Sequence, residues 1–191
     1  FGVACEAFGL DRSADGIQNF DFRIVTPEPG AVPANIGFTI NVEHDLAFAD
    51  TADLVIASPV PRARWGNGDK RVLDVIRRAA DRGAWVMSVC SGSFMLAESG
   101  VLDGRRATTH WLYSDAMTEM FPLVDVDPDV LYVQDGRIIT SAGTAAGLDA
   151  CLHLLRQELG PEAANRIARR MVVPPLRDGG QAQYIDKPMA D

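Results

Sequence analysis

"AWVMSVCSGSFMLAESG", residues 84–100, decides the fold. Its first six residues are almost wholly apolar, as expected of a parallel strand covered on both faces. A helical pattern then runs from Ser93 to a glycine stop at Gly100. Between them stands Cys90, with Ser88 and Gly92 two residues away on either side. A tight strand-to-helix turn that presents one side chain needs small residues at those two positions, the logic of a nucleophile elbow. The following helix would aim its N-terminus at the sulfur, which lowers a thiol pKa and offers N–H groups to an anion. A buried structural thiol is the competing reading, since free cysteine is among the most buried residue types.

Outward from this stretch, strands and helices alternate. "ADLVIAS" (52–58) reads as a strand, and so does "FDFRIVT" (20–26), each bounded by turn residues. "DKRVLDVIRRAADRG" (69–83) spaces Val72, Val75, Ile76 and Ala79 on one helical face, with an acid at its start and Gly83 as a stop. Beyond Cys90, Asp103-Gly104 makes a turn, "RRATT" reads as a strand, and "HWLYSDAMTEMF" (110–121) reads as a helix. "DVLYVQDGRIITSAG" (129–143) is a hairpin whose Asp135-Gly136 pair predicts a type I′ turn. The longest helix is expected over 144–159, with Leu148, Leu152, Leu155 and Leu159 in one stripe and Gly160-Pro161 ending it. "PEAANRIARRMV" gives a last helix, and "FGVACEAFG" at residues 1–9 already reads as the middle of one, so a first strand is expected ahead of Phe1. Such alternation gives a parallel sheet with helices on both faces, and ligands gather at the carboxyl ends of its strands. Cys90 sits at one of those ends.

Composition narrows the function. The net charge is −8 at pH 7. The acids Glu6, Asp11, Asp15, Asp21, Glu28, Glu43, Asp45, Asp50 and Asp53 crowd the first 53 residues against Arg12 and Arg23. A nucleic-acid reader needs a basic stripe to neutralise phosphates, so this chain is a poor DNA binder by itself. Three cysteines without C-x-x-C spacing argue for a reducing, cytoplasmic setting and against a disulfide framework or a metal site. No apolar run reaches the roughly 18 residues that span a bilayer, so no membrane contact is expected, and no cofactor either.

Cys5 and Cys151 lie inside helices among apolar neighbours and are expected in the core. Of the three histidines, His44 falls in a surface loop and His153 at the edge of the leucine stripe. His110 ends "RRATT" and begins a helix, so it is the histidine placed to reach Cys90, with Trp111 as a wall.

"VCSGSFMLAESGVLDGRRATTHW" and "ITSAGTAAGLD" resemble the ThiJ/PfpI superfamily, relatives of the class I glutamine amidotransferases. "LDGRRATTHW" together with "ARRMVVPPLRDGGQAQYI" is most similar to the N-terminal domains of AraC-type transcription regulators, a resemblance covering residues 1–186. It implies an α/β, flavodoxin-like three-layer sandwich with a mostly parallel sheet and a cysteine elbow, in a homodimer. It also implies that 187–191 open a linker to a carboxyl-terminal helix-turn-helix domain outside this chain, through which alone DNA would be bound.

Catalytic patterns of the superfamily are incomplete here. The amidotransferase H-x-E is missing, and "SAGTAAG" occupies its neighbourhood. The carboxylate that isonitrile hydratases take from the first strand–helix turn would fall just before Phe1, and Glu6 matches a structural helix position. A Pro-Gly-Gly loop that helps to form an oxyanion hole is replaced by Pro59-Val60-Pro61. The resemblance therefore implies a ligand-sensing and dimerising domain of an AraC-family regulator. Cys90, Ser91, His110, Trp111 and Thr144 would bind a small-molecule effector, with Cys90 and His110 catalytic-like in placement. A stand-alone cysteine-dependent hydratase or hydrolase and a redox sensor acting through Cys90 remain the alternatives.

Overall fold

The computed structural model describes residues 1–34 and 36–184; the expected linker at 187–191 lies outside the described residues. In chain order the elements are α1 (Gly2–Phe8), β1 (Gly30–Pro33), β2 (Thr39–Val42), β3 (Leu54–Ala57), α2 (Lys70–Asp81), β4 (Trp85–Val89) and α3 (Ser93–Glu98). There follow β5 (Arg106–Ala107), α4 (Ser114–Met120), β6 (Asp125–Val126), β7 (Tyr132–Asp135), β8 (Ile138–Ser141), α5 (Thr144–Leu159) and α6 (Pro161–Arg170).

The main sheet has the order β3-β4-β8-β7. Its first two pairings are parallel, with Val86 opposite Val55 on one side and Ile138 on the other. The β7–β8 pair is the antiparallel hairpin. Every residue of β4 is buried, as its continuous apolar run requires. Alternation then splits the core in two. Trp85, Met87 and Ile139 pack with α1, α5 and α6 on one face, while Val86 and Ile138 pack with α2, α3 and α4 on the other. The result is the three-layer α/β sandwich expected from the sequence, and no described helix is long and apolar enough to cross a membrane.

Several elements differ from their sequence reading. Residues 20–26 form no strand beyond one parallel bridge between Val25 and His44. Their partner turns away after a single rung, because Asp45 accepts from Ala47 N–H at 2.9 Å and starts a 3-10 turn over Leu46–Thr51. The β1–β2 hairpin was not anticipated, its Gly30 and Pro33 disguising it as loop. "RRATT" yields only the two residues of β5, paired with β6 in a separate small sheet. The helix over 110–121 opens as a 3-10 turn at Trp111–Tyr113 before α4 begins. In the β7–β8 hairpin, Asp135 pairs with Ile138, so Gly136 and Arg137 form the turn. Only Gly136 has positive φ, +61°, which is the type II′ pattern rather than type I′.

Candidate functional site

β4 delivers Cys90 to the carboxyl edge of the sheet, where the backbone reverses into a 3-10 turn at Cys90–Gly92 and then α3. Cys90 has φ of +53°, a left-handed conformation uncommon for a non-glycine residue. Its neighbours hold it there. Cys90 N–H donates to Ala142 O at 2.9 Å. Cys90 O accepts from Ser93 Oγ at 3.0 Å and Thr109 Oγ1 at 3.3 Å. Gly92 is required by close approach, since a Cβ there would stand 2.3 Å from Ala57 O. The small residue demanded by the elbow spacing is thus the one that lets α3 lie against the end of β3.

The thiol is half-buried, and its pKa is raised. Burial is the dominant cause, and a hydrogen bond from the Ser91 backbone offsets only part of it. The helix expected to aim its N-terminus at the sulfur, α3, has only six residues and begins after the 3-10 turn.

Ser91 serves the neighbouring loop. Its Oγ donates to Val60 O at 2.9 Å and accepts from Val60 N–H at 3.1 Å. Trp65 Nε1 adds a third contact to the same carbonyl, at 3.4 Å. The N–H that a superfamily enzyme would turn toward an oxyanion is consumed inside the protein, and the Pro59-Val60-Pro61 loop is fixed by it.

His110 N-caps its 3-10 turn, Nδ1 accepting from Leu112 N–H at 3.2 Å. That contact assigns the proton of the neutral ring to Nε2. The ring lies over Gly143, at the start of α5, where a Cβ would meet His110 Cδ2 at 3.2 Å. Trp111 and Tyr113 flank it, with ring centroids 5.5 and 5.4 Å away. Burial lowers its pKa below the usual histidine value. The chain joining β8 to α5 meets Cys90 through Ala142 O and His110 at Gly143, but no hydrogen bond joins Cys90 Sγ to His110 among the described residues.

Thr144 is exposed and lines a cleft of about 680 Å³ with Phe1, Glu6, Pro59, Val89 and Arg170 among its walls. Val89 brings this cleft next to the elbow, although neither Cys90 nor His110 lines it. Glu6 is held by Arg12 at 3.2 Å.

The remaining candidates behave as structural groups. Cys151 is fully buried and its thiol is pushed up to about 12 by that burial. Cys5 is only half-buried, against the expectation of a core residue, because the buried face of α1 is made by Ala4, Ala7 and Phe8 and Cys5 lies beside it. His44 packs against Phe48 with ring centroids 4.4 Å apart and planes tilted by 52°. His153 bonds Gln134 at 2.6 Å on the far face of α5. Among the described residues no cluster of histidine, cysteine and acidic side chains could hold a metal. Sequence reasoning missed Thr109, Tyr113 and Gln181, which touch Cys90, His110 and Trp111 respectively.

The description "DJ-1/PfpI family" matches residues 10–157. The chain is 31% identical over 160 residues to the HTH-type transcriptional regulator CdhR of Pseudomonas aeruginosa, covering 83% of this chain and 46% of that protein. It is 36% identical over 107 residues to an isonitrile hydratase of Pseudomonas putida, covering 56% of this chain and 46% of that enzyme. The chain thus spans less than half the length of these relatives. The crystal structure of a ThiJ/PfpI family protein from Pseudomonas syringae superposes with a TM-score of 0.73 over 100% of this chain and 71% of the other, at 22% identity. A family match over most of the sequence, on a fold shared with that protein, makes this chain a member of the DJ-1/PfpI family.

Proposed function

We propose that this chain is the effector-binding and dimerising domain of an AraC-type transcription regulator, in which a separate helix-turn-helix unit contacts DNA. The observation that carries the reading is the Ser91–Val60 lock. It occupies the Val60 N–H that an oxyanion would need, and among the described residues no histidine or carboxylate is hydrogen-bonded to the Cys90 thiol, an arrangement suited to binding and poor for turnover. Likeness to a regulator over 83% of the chain supports it, as does a net charge of −8, which disfavours contact with phosphates. The effector would be a small metabolite held near Cys90, Ser91, His110, Trp111 and Thr144 in a cytoplasmic homodimer.

The test has two arms. Incubation with an aliphatic isonitrile, followed by loss of its infrared band, is expected to show no turnover dependent on Cys90. A metabolite panel is expected to contain a compound that raises the melting temperature in proportion to its occupancy. Isonitrile hydration that disappears in Cys90→Ala would reject the sensor reading for the enzyme alternative, which the left-handed Cys90 and the Ser91 backbone hydrogen bond favour.

A further inference from the structure

The carboxyl-terminal segment is fastened into the candidate site by one side chain. Gln181 is 2% exposed. Its Oε1 accepts from Trp111 N–H at 2.7 Å, and its Nε2 donates to Thr109 O at 2.9 Å and Val130 O at 3.0 Å. Thr108 Oγ1 lies 3.3 Å from the same nitrogen. The peptide groups on both sides of His110 are therefore gripped by a single primary amide, which supplies the one acceptor and two donors the segment needs.

The chain around Gln181 is shaped for this insertion. Gly179 has φ of +120°. Gly180 bridges Val130, and a Cβ on it would fall 2.1 Å from Asp129 O. Gln181 N–H itself donates to Asp129 O at 2.6 Å. Further back, Arg177 Nε meets Asp149 at 3.0 Å and Arg156 donates to Pro175 O at 2.6 Å, tying the same strap to α5. Four of the five residues of the "RDGGQ" run, Arg177, Gly179, Gly180 and Gln181, thus have an identified role.

We propose that Gln181 is a positioning residue that couples the strap 175–184 to the effector pocket, so that pocket occupancy and strap seating are one linked equilibrium. Any molecule that displaces the His110 loop must loosen the amide clamp, and a loosened clamp must change affinity at the pocket by the same factor. The proposal rests on the reading of the Cys90–His110 region as an effector site. The clamp itself is testable without an effector, so the two can fail separately.

The experiment is amide hydrogen exchange on the intact protein in a Cys5→Ser background, with Gln181→Met and Gln181→Glu compared. Methionine fills the same space with no hydrogen bond, whereas glutamate keeps an acceptor for Trp111 N–H but turns a charged oxygen toward Thr109 O and Val130 O. Exchange at Trp111 is expected to rise at least about tenfold in Q181M and at least as much in Q181E, with Met87 and Ile139 in the core unchanged. An unchanged rate at Trp111 in either variant, or an equal rise at the core amides, overturns the clamp. The second arm places a carboxamidomethyl group on Cys90 with iodoacetamide as an occupant of known position. Exchange of the Gln181 amide is then expected to rise several-fold; an unchanged rate overturns the coupling.

Discussion

Replacing Gly92 with alanine adds one methyl group where the end of β3 already stands. The new carbon would lie 2.3 Å from Ala57 O and 3.0 Å from both Ala57 C and Ser58 O. Ordinary carbon–oxygen contact is about 3.3–3.6 Å, so α3 and β3 would have to part by roughly 1 Å. Both sides of the clash are backbone and cannot rotate away. Overpacking of this kind costs about 1–3 kcal/mol, and the rigid contacts put Gly92 near the upper end. Alanine returns at most about 1 kcal/mol of helical preference, leaving a net loss of about 2 kcal/mol. In a chain of this size each kcal/mol moves the melting temperature by about 2–4 °C, so G92A should melt about 4–8 °C lower. The control is Gly2→Ala at the start of α1, where nothing lies within 4 Å of the added carbon. It carries the same methyl and should melt within about 2 °C of the parent, or slightly above it. Thermal melts followed by far-UV circular dichroism under one buffer condition decide the matter. A G92A protein that melts with G2A would refute the close-approach account of the elbow.

Alkylation of Cys90 by iodoacetamide, followed by intact mass, should keep accelerating as pH rises past the ordinary thiol value of 9.0, because burial holds the proton on. A plateau near neutrality would mean an activated thiolate and reopen the nucleophile reading. His110 and His153 have lowered pKa values, chiefly from burial, so the unfolded chain takes up their protons first on acidification. Stability should be full above about pH 6.5, the unperturbed histidine value, and should decline as pH falls through the lower folded values. His110→Gln should flatten that decline in melts at stepped pH, and an unchanged slope would show that the ring is not responsible. Ile139→Ala removes a fully buried side chain from β8, and urea unfolding should show a loss of about 2–5 kcal/mol. A loss below about 1 kcal/mol would mean that the two-sided core is loosely packed around β8.

The parts of the fold readable from sequence were those written in local spacing. β4 announces itself by an apolar run, α2 by one buried face between Asp69 and Gly83, and α5 by its leucine stripe. Residues 20–26 have the same strand composition, but a ladder depends on how long the partner stays alongside, and His44 stays for one rung. The cysteine turn was legible because it needs small residues at fixed distances. The state of its thiol was not, since burial is supplied by elements far apart in the chain. The same holds for the Ser91–Val60 lock, whose partners are 31 residues apart, and for Gln181 and Trp111, which are 70 apart. The glycine pair before Gln181 was the available signal for that contact, though nothing local names the loop it approaches.

The mixed edge of the main sheet bears on how the chain reaches this structure. β7 and β8 meet across the two residues Gly136 and Arg137, so their pairing closes almost no loop and can form early. β8 must also accept β4, whose Val86 faces Ile138 only after all of α3, α4 and the small sheet have been spanned. Docking of that hairpin against β4 closes a much longer loop and carries a correspondingly larger entropic cost. The same docking brings Ala142 O to Cys90 N–H, so closing the sheet and fixing the bend at the sulfur are coupled.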